Sequence, residues 1–269
     1  MVFRKPSPPG WSQAARIEAA GLRWLAEAEP GGGASVIPVL SVAPGELVLQ
    51  EIPSVPSTPE AAEVFGAALA RTHRSLPSGT AFGVLPGEHP SDEPPLFGPA
   101  DQPLRMGTGT HDSWGAFCAS ERLSPVLAAL QNRLTAAERD LLEGASDRIA
   151  DGDFDDAESR SRIHGDLWSG NVLWTPGDEV GRADDVVAVL IDPAAHAGHR
   201  EDDLAMLQLF GLPHLEAVMA AYERTAPLRS GWEERIPVHQ LFYLAVHWLL
   251  FGEAYRAPTC AAARATLSL

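Results

Sequence analysis

The chain has 269 residues, is 45% hydrophobic, and carries 20 basic against 36 acidic residues, a formal net charge of −16. Such acidity argues against general nucleic-acid binding and against docking on anionic lipid, both of which need a basic face. No segment approaches the roughly 18 uninterrupted apolar residues of a membrane span. Met1–Gly10 holds three prolines and two charges rather than a signal-peptide apolar run. Two cysteines, Cys118 and Cys260, are too few for a disulfide framework, so a reducing, cytoplasmic setting is the expectation. Lys5 is the only lysine.

In chain order, Val2–Arg4 reads as a strand stopped by Pro6, Pro8 and Pro9. A helix over Ser12–Glu27 follows, with Ser12 as its N-cap. Val36–Val42 and Glu46–Gln50 form two strands joined at Pro44-Gly45. Pro59–Arg74 is a helix entered through Thr58 and Pro59, with Val64, Phe65, Ala68 and Leu69 on one face. Pro77–Pro103, rich in Pro, Gly and Asp, reads as irregular loop. Helices are expected over Ser113–Arg133 and Thr135–Ala150. Strands follow at Val172–Trp174 and Val186–Ile191, then helices at Arg200–Phe210, His214–Arg224 and Val238–Ala254. The result is an α+β chain: a small strand-containing head (residues 1–52) and a large helical body (53–269) with a short β insertion. Active sites favour the cleft between such lobes.

The insertion opens with Ile163-His164-Gly165-Asp166-Leu167-Trp168-Ser169-Gly170-Asn171, an Asp-x-x-x-x-Asn in a Gly-containing loop before a strand. The next strand ends in Leu190-Ile191-Asp192-Pro193. An Asp at the end of an apolar strand is costly without a partner. Phosphoryl transfer gives all three groups work: Asp166 can orient the attacking hydroxyl, and Asn171 and Asp192 can supply oxygens to Mg²⁺ on the nucleotide. Two plainer readings compete. Asp166, Asn171 and Asp192 could be turn and helix caps, or His164 and Asp166 could share a metal with His196 or His199. In the head, Glu18 borders the Leu22–Leu25 face of its helix and needs a cation, and Lys5 ends the preceding strand. A strand lysine held by a helix glutamate is how kinases present an ammonium to nucleotide phosphates. Asp203 begins an apolar helix and could cap it, or, as favoured here, reach back to the backbone of the Asp166 loop. Asp151, Asp153 and Asp155 imitate an EF-hand start, but Asp156 and Arg162 occupy positions that need Gly and Glu. His239 and His247 lie in an aromatic helical stripe that reads as core. Cys118 and Cys260 read as buried small residues.

His164-Gly-Asp-Leu-Trp-Ser-Gly-Asn171 followed by Asp192-Pro-Ala resembles the signature of fructosamine kinases, which share the protein-kinase-like fold of aminoglycoside and choline phosphotransferases. Gly198-His-Arg-Glu-Asp-Asp-Leu-Ala-Met206, Leu69-Ala-Arg-Thr-His73, Trp114, Phe117, Pro227-Leu228, Gly231-Trp232 and Phe251-Gly252 extend the likeness over nearly the whole chain. The resemblance implies ATP- and Mg²⁺-dependent phosphorylation of a ketoamine, typically at its 3-hydroxyl, free or protein-bound. It casts Asp166 as the group taking the hydroxyl proton, Asn171 and Asp192 as Mg²⁺ ligands, and Lys5 with Glu18 at the phosphates. Gln50, Glu51 and Ile52 would be the adenine-reading hinge, Trp168 a wall of the sugar-amine pocket, and His164 and Asp203 its structural support. His196 stands where the family usually shows Tyr, on the acceptor side. Kinase-like folds place two strands and a glycine turn before the lysine strand, so a small lobe short of that hairpin is expected. Another small-molecule kinase of this fold, or an inactive nucleotide-binding remnant, is the alternative.

Overall fold

A computed structural model of the chain describes residues 1–99, 102–156, 158 and 160–269. Strand β1 (Val2–Pro6) opens the chain and helix α1 (Ala14–Ala26) follows. The α1 cap differs from expectation. Gln13, not Ser12, precedes the first turn, and Ser7 Oγ accepts the Ala15 N–H at 3.2 Å from the bend after β1. A hydroxyl eight positions upstream does the capping because the prolines fold that bend back over the helix end.

Strands β2 (Ser35–Val36), β3 (Val39–Ala43) and β4 (Glu46–Gln50) come next, so the expected Val36–Val42 strand is two pieces broken around Pro38. β1, β4 and β3 form an antiparallel sheet, with Lys5 opposite Leu47. Helix α2 (Pro59–His73) begins as its sequence predicts, with Thr58 Oγ1 accepting from Ala61 N–H at 3.1 Å. The irregular stretch after it contains one hairpin, β5 (Leu96–Phe97) with β6 (Leu104–Arg105).

The helix expected over Ser113–Arg133 is three segments: α3 (Trp114–Phe117), a π-helical stretch over Cys118–Leu123, and α4 (Ser124–Leu130). Helix α5 (Ala136–Ala150) carries a full capping box between Thr135 and Glu138. Strand β7 (Ser161–Ile163), the loop from His164 to Asn171, and strands β8 (Val172–Pro176), β9 (Val186–Leu190) and β10 (His196–Gly198) form the insertion. Four helices complete the body: α6 (Arg200–Phe210), α7 (Leu215–Thr225), α8 (Trp232–Phe251) and α9 (Arg256–Ser268). α8 starts six residues before the expected Val238. Pro237 lies inside it and leaves the carbonyl of exposed Glu233 to water rather than ending the helix. α9 was not expected at all: its Ala- and Thr-rich sequence shows no broad apolar stripe.

One hydrophobic core joins Leu22, Leu25, Leu47 and Leu49 of the first segment to Phe65, Leu69, Trp174 and Leu190. A second fills the body around Phe117, Leu142, Phe242 and Trp248. β2 pairs in parallel with β9, so a strand of the first 52 residues belongs to the sheet of the insertion.

Candidate active site

The site is assembled by β1, α1 and the insertion. α1 runs close over the end of β9 because residue 21 is glycine; a Cβ there would sit 3.1 Å from Pro193 Cγ. That approach brings Glu18, one turn earlier, beside Asp192. Lys5 Nζ then reaches both carboxylates, at 2.9 Å from Glu18 Oε2 and 2.6 Å from Asp192 Oδ1. Lys5 and Asp192 are 187 positions apart in sequence. Burial opposes the charge on Lys5, but the two carboxylates outweigh it and raise its pKa. Glu18 is pushed up to about 8 by burial, despite Lys5, with the Asp192 carboxylate adding to the rise. Its Oε1 is buried without a hydrogen-bond partner among the described residues. Asp192 resists burial and is held below the ordinary range by Lys5. Its backbone is left-handed, φ 52°, a conformation worth about 1 kcal/mol or more of strain in a non-glycine residue.

The loop from His164 to Asn171 is clamped from below. Gly165 has φ +80°, and a Cβ on it would lie 2.3 Å from the Ala194 carbonyl oxygen, so only glycine fits. Asp203, fully buried at the start of α6, accepts the His164 N–H at 2.7 Å and the Gly165 N–H at 2.8 Å. His73 Nε2 donates to the same carboxylate at 3.1 Å, and the Tyr222 hydroxyl lies 2.7 Å from His73 Nδ1. Burial alone would raise the Asp203 pKa; His73, His164 and the loop N–H bond outweigh it and hold it low. His164 accepts the Asp166 N–H at Nδ1, 3.2 Å, so its Nε2 carries the proton donated to Ile191 O at 2.8 Å. Burial lowers the His164 pKa and favours that neutral ring.

Asp166 thus projects from a rigid loop. Asn171 Nδ2 donates to the Asp166 backbone oxygen at 2.7 Å and to its Oδ2 at 3.2 Å. Burial raises the Asp166 carboxyl to about 7, with Asn171 opposing and Asp192 and Asp203 adding. Asn171 spends its N–H groups on Asp166, and no protein hydrogen bond among the described residues uses its Oδ1. An amide oxygen and the Asp192 carboxylate are hard-oxygen donors of the kind Mg²⁺ takes.

One cleft is lined by Lys5, Glu18, Asp166, Trp168, Asn171 and Asp192, together with Leu47, Phe97, His247 and Phe251. The structure therefore brings together six of the residues singled out in sequence. Two further ones lie behind the cleft: His164 within the loop and Asp203 beneath it. Gln50, Glu51 and Ile52 do not line the cleft; Gln50 Nε2 donates to Glu179 O at 2.6 Å and ties the connector to the insertion. His196 also departs from the expected acceptor side. It is buried behind the cleft, donates through Nδ1 to Ala194 O at 2.9 Å, and lines a small internal cavity with Trp114, Phe117 and Arg122. The β10–β7 pairing turns its ring inward. Burial drives its pKa down to about 3. The shared metal of His164, Asp166 and His196 or His199 is not assembled: His164 spends both ring nitrogens within the loop.

Sequence reasoning gave His73 no role beyond the family likeness, read His247 as core, and did not expect the Leu96–Phe97 hairpin. His73 had a usable signal, a polar residue on the buried Phe65–Leu69 face of α2.

The fructosamine kinase family profile matches residues 2–268. The chain belongs to that family. A probable ketoamine kinase of Enterococcus faecium is 46% identical over 93 residues, 35% of this chain and 30% of that protein. Against the first two curated relatives the chain spans under a third of their length. The crystal structure of a fructosamine-3-kinase candidate from Thermobifida fusca superposes with TM-score 0.83 at 39% identity, covering 100% of this chain and 86% of that one. The choline kinase LicA of Streptococcus pneumoniae matches at TM-score 0.58 and 16% identity, covering 100% and 86%, a likeness of fold. The fold is that of the protein-kinase-like phosphotransferases, α+β as the sequence predicts. No described helix is long and apolar enough to cross a membrane.

Proposed function

We propose that this fructosamine kinase family member transfers the γ-phosphoryl group of ATP to a sugar hydroxyl, the 3-hydroxyl, of a ketoamine. The observation that carries the reading is the convergence of Lys5, Glu18 and Asp192 at 2.6–2.9 Å in the cleft that Asp166 and Asn171 also line. When bound, ATP supplies the phosphoryl group, and Mg²⁺ supplies positive charge on its phosphates. Asn171 Oδ1 and the Asp192 carboxylate are the residues that would hold the ion, which frees Lys5 Nζ for a phosphate oxygen. Asp166, oriented by Asn171, takes the proton of the attacking hydroxyl at its carboxylate. Trp168 walls the sugar. His196 supports the acceptor pocket from behind. Residues 1–52 act as the nucleotide lobe, and 53–269 as the lobe of the catalytic loop and acceptor. Enolisation of the phosphorylated ketoamine expels the C3 phosphate and leaves an unsaturated imine, whose hydrolysis by water frees the amine; the role is repair of glycated amines.

A base with pKa about 7 must be deprotonated to act, so kcat/KM rises with pH through that value and levels off above it. Asp166→Asn is expected to cut ATP turnover with a fructosamine or ribulosamine by ~10²–10⁴-fold, with an unchanged circular dichroism spectrum. Full activity in that variant, or a rising limb centred below pH 5, would sink the assignment. A parallel panel of aminoglycosides and amino alcohols tests the second small-molecule reading.

A further inference from the structure

α8 turns one polar residue toward the cleft among its aromatic neighbours. His247 lines the cleft, while Tyr243 and Trp248 beside it are buried. Its Nδ1 lies 2.7 Å from the Tyr243 carbonyl oxygen, one turn back. A carbonyl only accepts, so Nδ1 carries the proton, and in a neutral ring Nε2 is a bare acceptor. Burial lowers the His247 pKa and keeps the ring neutral. No protein hydrogen bond among the described residues occupies Nε2.

Rings surround it. Phe210 lies 4.7 Å from the imidazole, and Phe251 and Tyr255 each lie 5.2 Å away. Trp168 meets Phe210 edge-on at 6.4 Å. Trp168 and Phe251 are 41% and 54% exposed, so large aromatic faces stay open where the cleft needs a lining. Such faces attract a cation. The charges agree: among the described lining residues Lys5 is the only lysine or arginine, against Glu18, Asp166 and Asp192. An anionic acceptor finds no arginine in this wall. A sugar hydroxyl can donate to Nε2 as well, but only a cation also gains from the aromatic faces.

We propose that His247, with Trp168 and Phe251, is the specificity-determining group for the protonated secondary amine of the ketoamine. Nε2 accepts the ammonium N–H, and the rings hold its positive charge. The assignment rests on the ketoamine reading above and extends it: the site selects the amine, not only the sugar. The amine of a ketoamine is a few bonds from the 3-hydroxyl, so recognition here also places that hydroxyl near Asp166.

The test compares two ligands that differ in charge, 1-deoxy-1-methylaminofructose and its ether counterpart 1-O-methylfructose. Calorimetric Kd values are taken with Mg²⁺-ADP present, for the wild type, His247→Leu and Phe251→Ala. The wild type is expected to favour the amine at least tenfold. His247→Leu should shrink that preference to within threefold, and Phe251→Ala should reduce it in the same direction. A merely structural defect weakens both ligands equally and leaves the ratio intact. An unchanged ratio in a folded His247→Leu protein, or no preference in the wild type, overturns the proposal. Should His247→Leu fail to fold, an unchanged ratio in Phe251→Ala overturns it instead. Failure of the underlying reading shows separately, as wild-type protein that binds the amine but does not phosphorylate it.

Discussion

Asp203→Asn tests the clamp under the His164–Asn171 loop. The native carboxylate uses one oxygen for the His164 N–H at 2.7 Å and the other for the Gly165 N–H at 2.8 Å, with His73 sharing the first. Asparagine retains one oxygen and turns an NH₂ toward the remaining N–H. A hydrogen bond to a charged acceptor contributes about 1.5–3 kcal/mol, and a buried donor left unsatisfied costs about 1–3 kcal/mol. The expected loss is ~4 kcal/mol, a large part of the 5–15 kcal/mol typical of a folded protein. Unfolding entropy of about 2.1 cal/mol/K per residue, over 269 residues, converts this to a melting point lower by about 7 °C. Urea denaturation followed by tryptophan fluorescence reads the difference directly. The Asp203 pKa is held below its ordinary 3.8. Its contribution is therefore full above that value and is lost as the pH falls through the lowered one, so wild type and variant converge at acid pH. A loss below ~1 kcal/mol at pH 7 would refute the clamp, as would a gap that widens on acidification.

Two further outcomes follow from the charges. Lys5→Met leaves Glu18 and Asp192 facing each other without a cation. Steady-state turnover should show kcat/KM for ATP falling at least ~100-fold, about 2.7 kcal/mol of transition-state stabilisation; a loss under tenfold removes Lys5 from phosphate binding. His239 is buried with Nδ1 2.7 Å from Asp202 and Nε2 3.2 Å from Glu201, though the latter lacks hydrogen-bond geometry. Burial opposes its charge, but the carboxylates prevail and raise its pKa to about 9. Its stabilisation is complete below its ordinary 6.5 and lost as the pH rises through about 9. His239→Gln should cost on the order of 3 kcal/mol at pH 6, and the gap in urea midpoints should close by pH ~10. A gap independent of pH would mean that the ring acts through packing alone.

What sequence could show depended on whether a residue's reason was local. Thr58 and Pro59 mark the start of α2 because capping is settled within four residues. The string His164–Asn171 and the Asp192 strand end were visible because buried polar residues in an apolar setting demand partners. Lys5 and Glu18 stood out for the same reason. The bound of α8 was not visible, because a proline in an exposed early turn looks in sequence like one that ends a helix. α9 hid because alanine packs well without marking a face. His247 was read as core from its spacing. Its spacing is indeed that of a buried stripe, and only the tertiary position of Trp168, Phe210 and Tyr255 opens the ring to the cleft. His196 failed in the opposite way, since position after Asp192 says nothing of which side β10 turns its ring.

The parallel pairing of β2 with β9 has a mechanical consequence. Ser35 and Val36 align with Val189 and Leu190, and the Ile37 N–H bonds Leu190 O at 3.0 Å. β9 is the strand that delivers Asp192, two residues beyond its end. The Gln50–Ile52 connector is therefore not the sole tether between the segment carrying Lys5 and the segment carrying Asp192. Displacing the first segment against the second must therefore carry or break the β2–β9 pairing, and β9 leads within two residues to the left-handed backbone of Asp192.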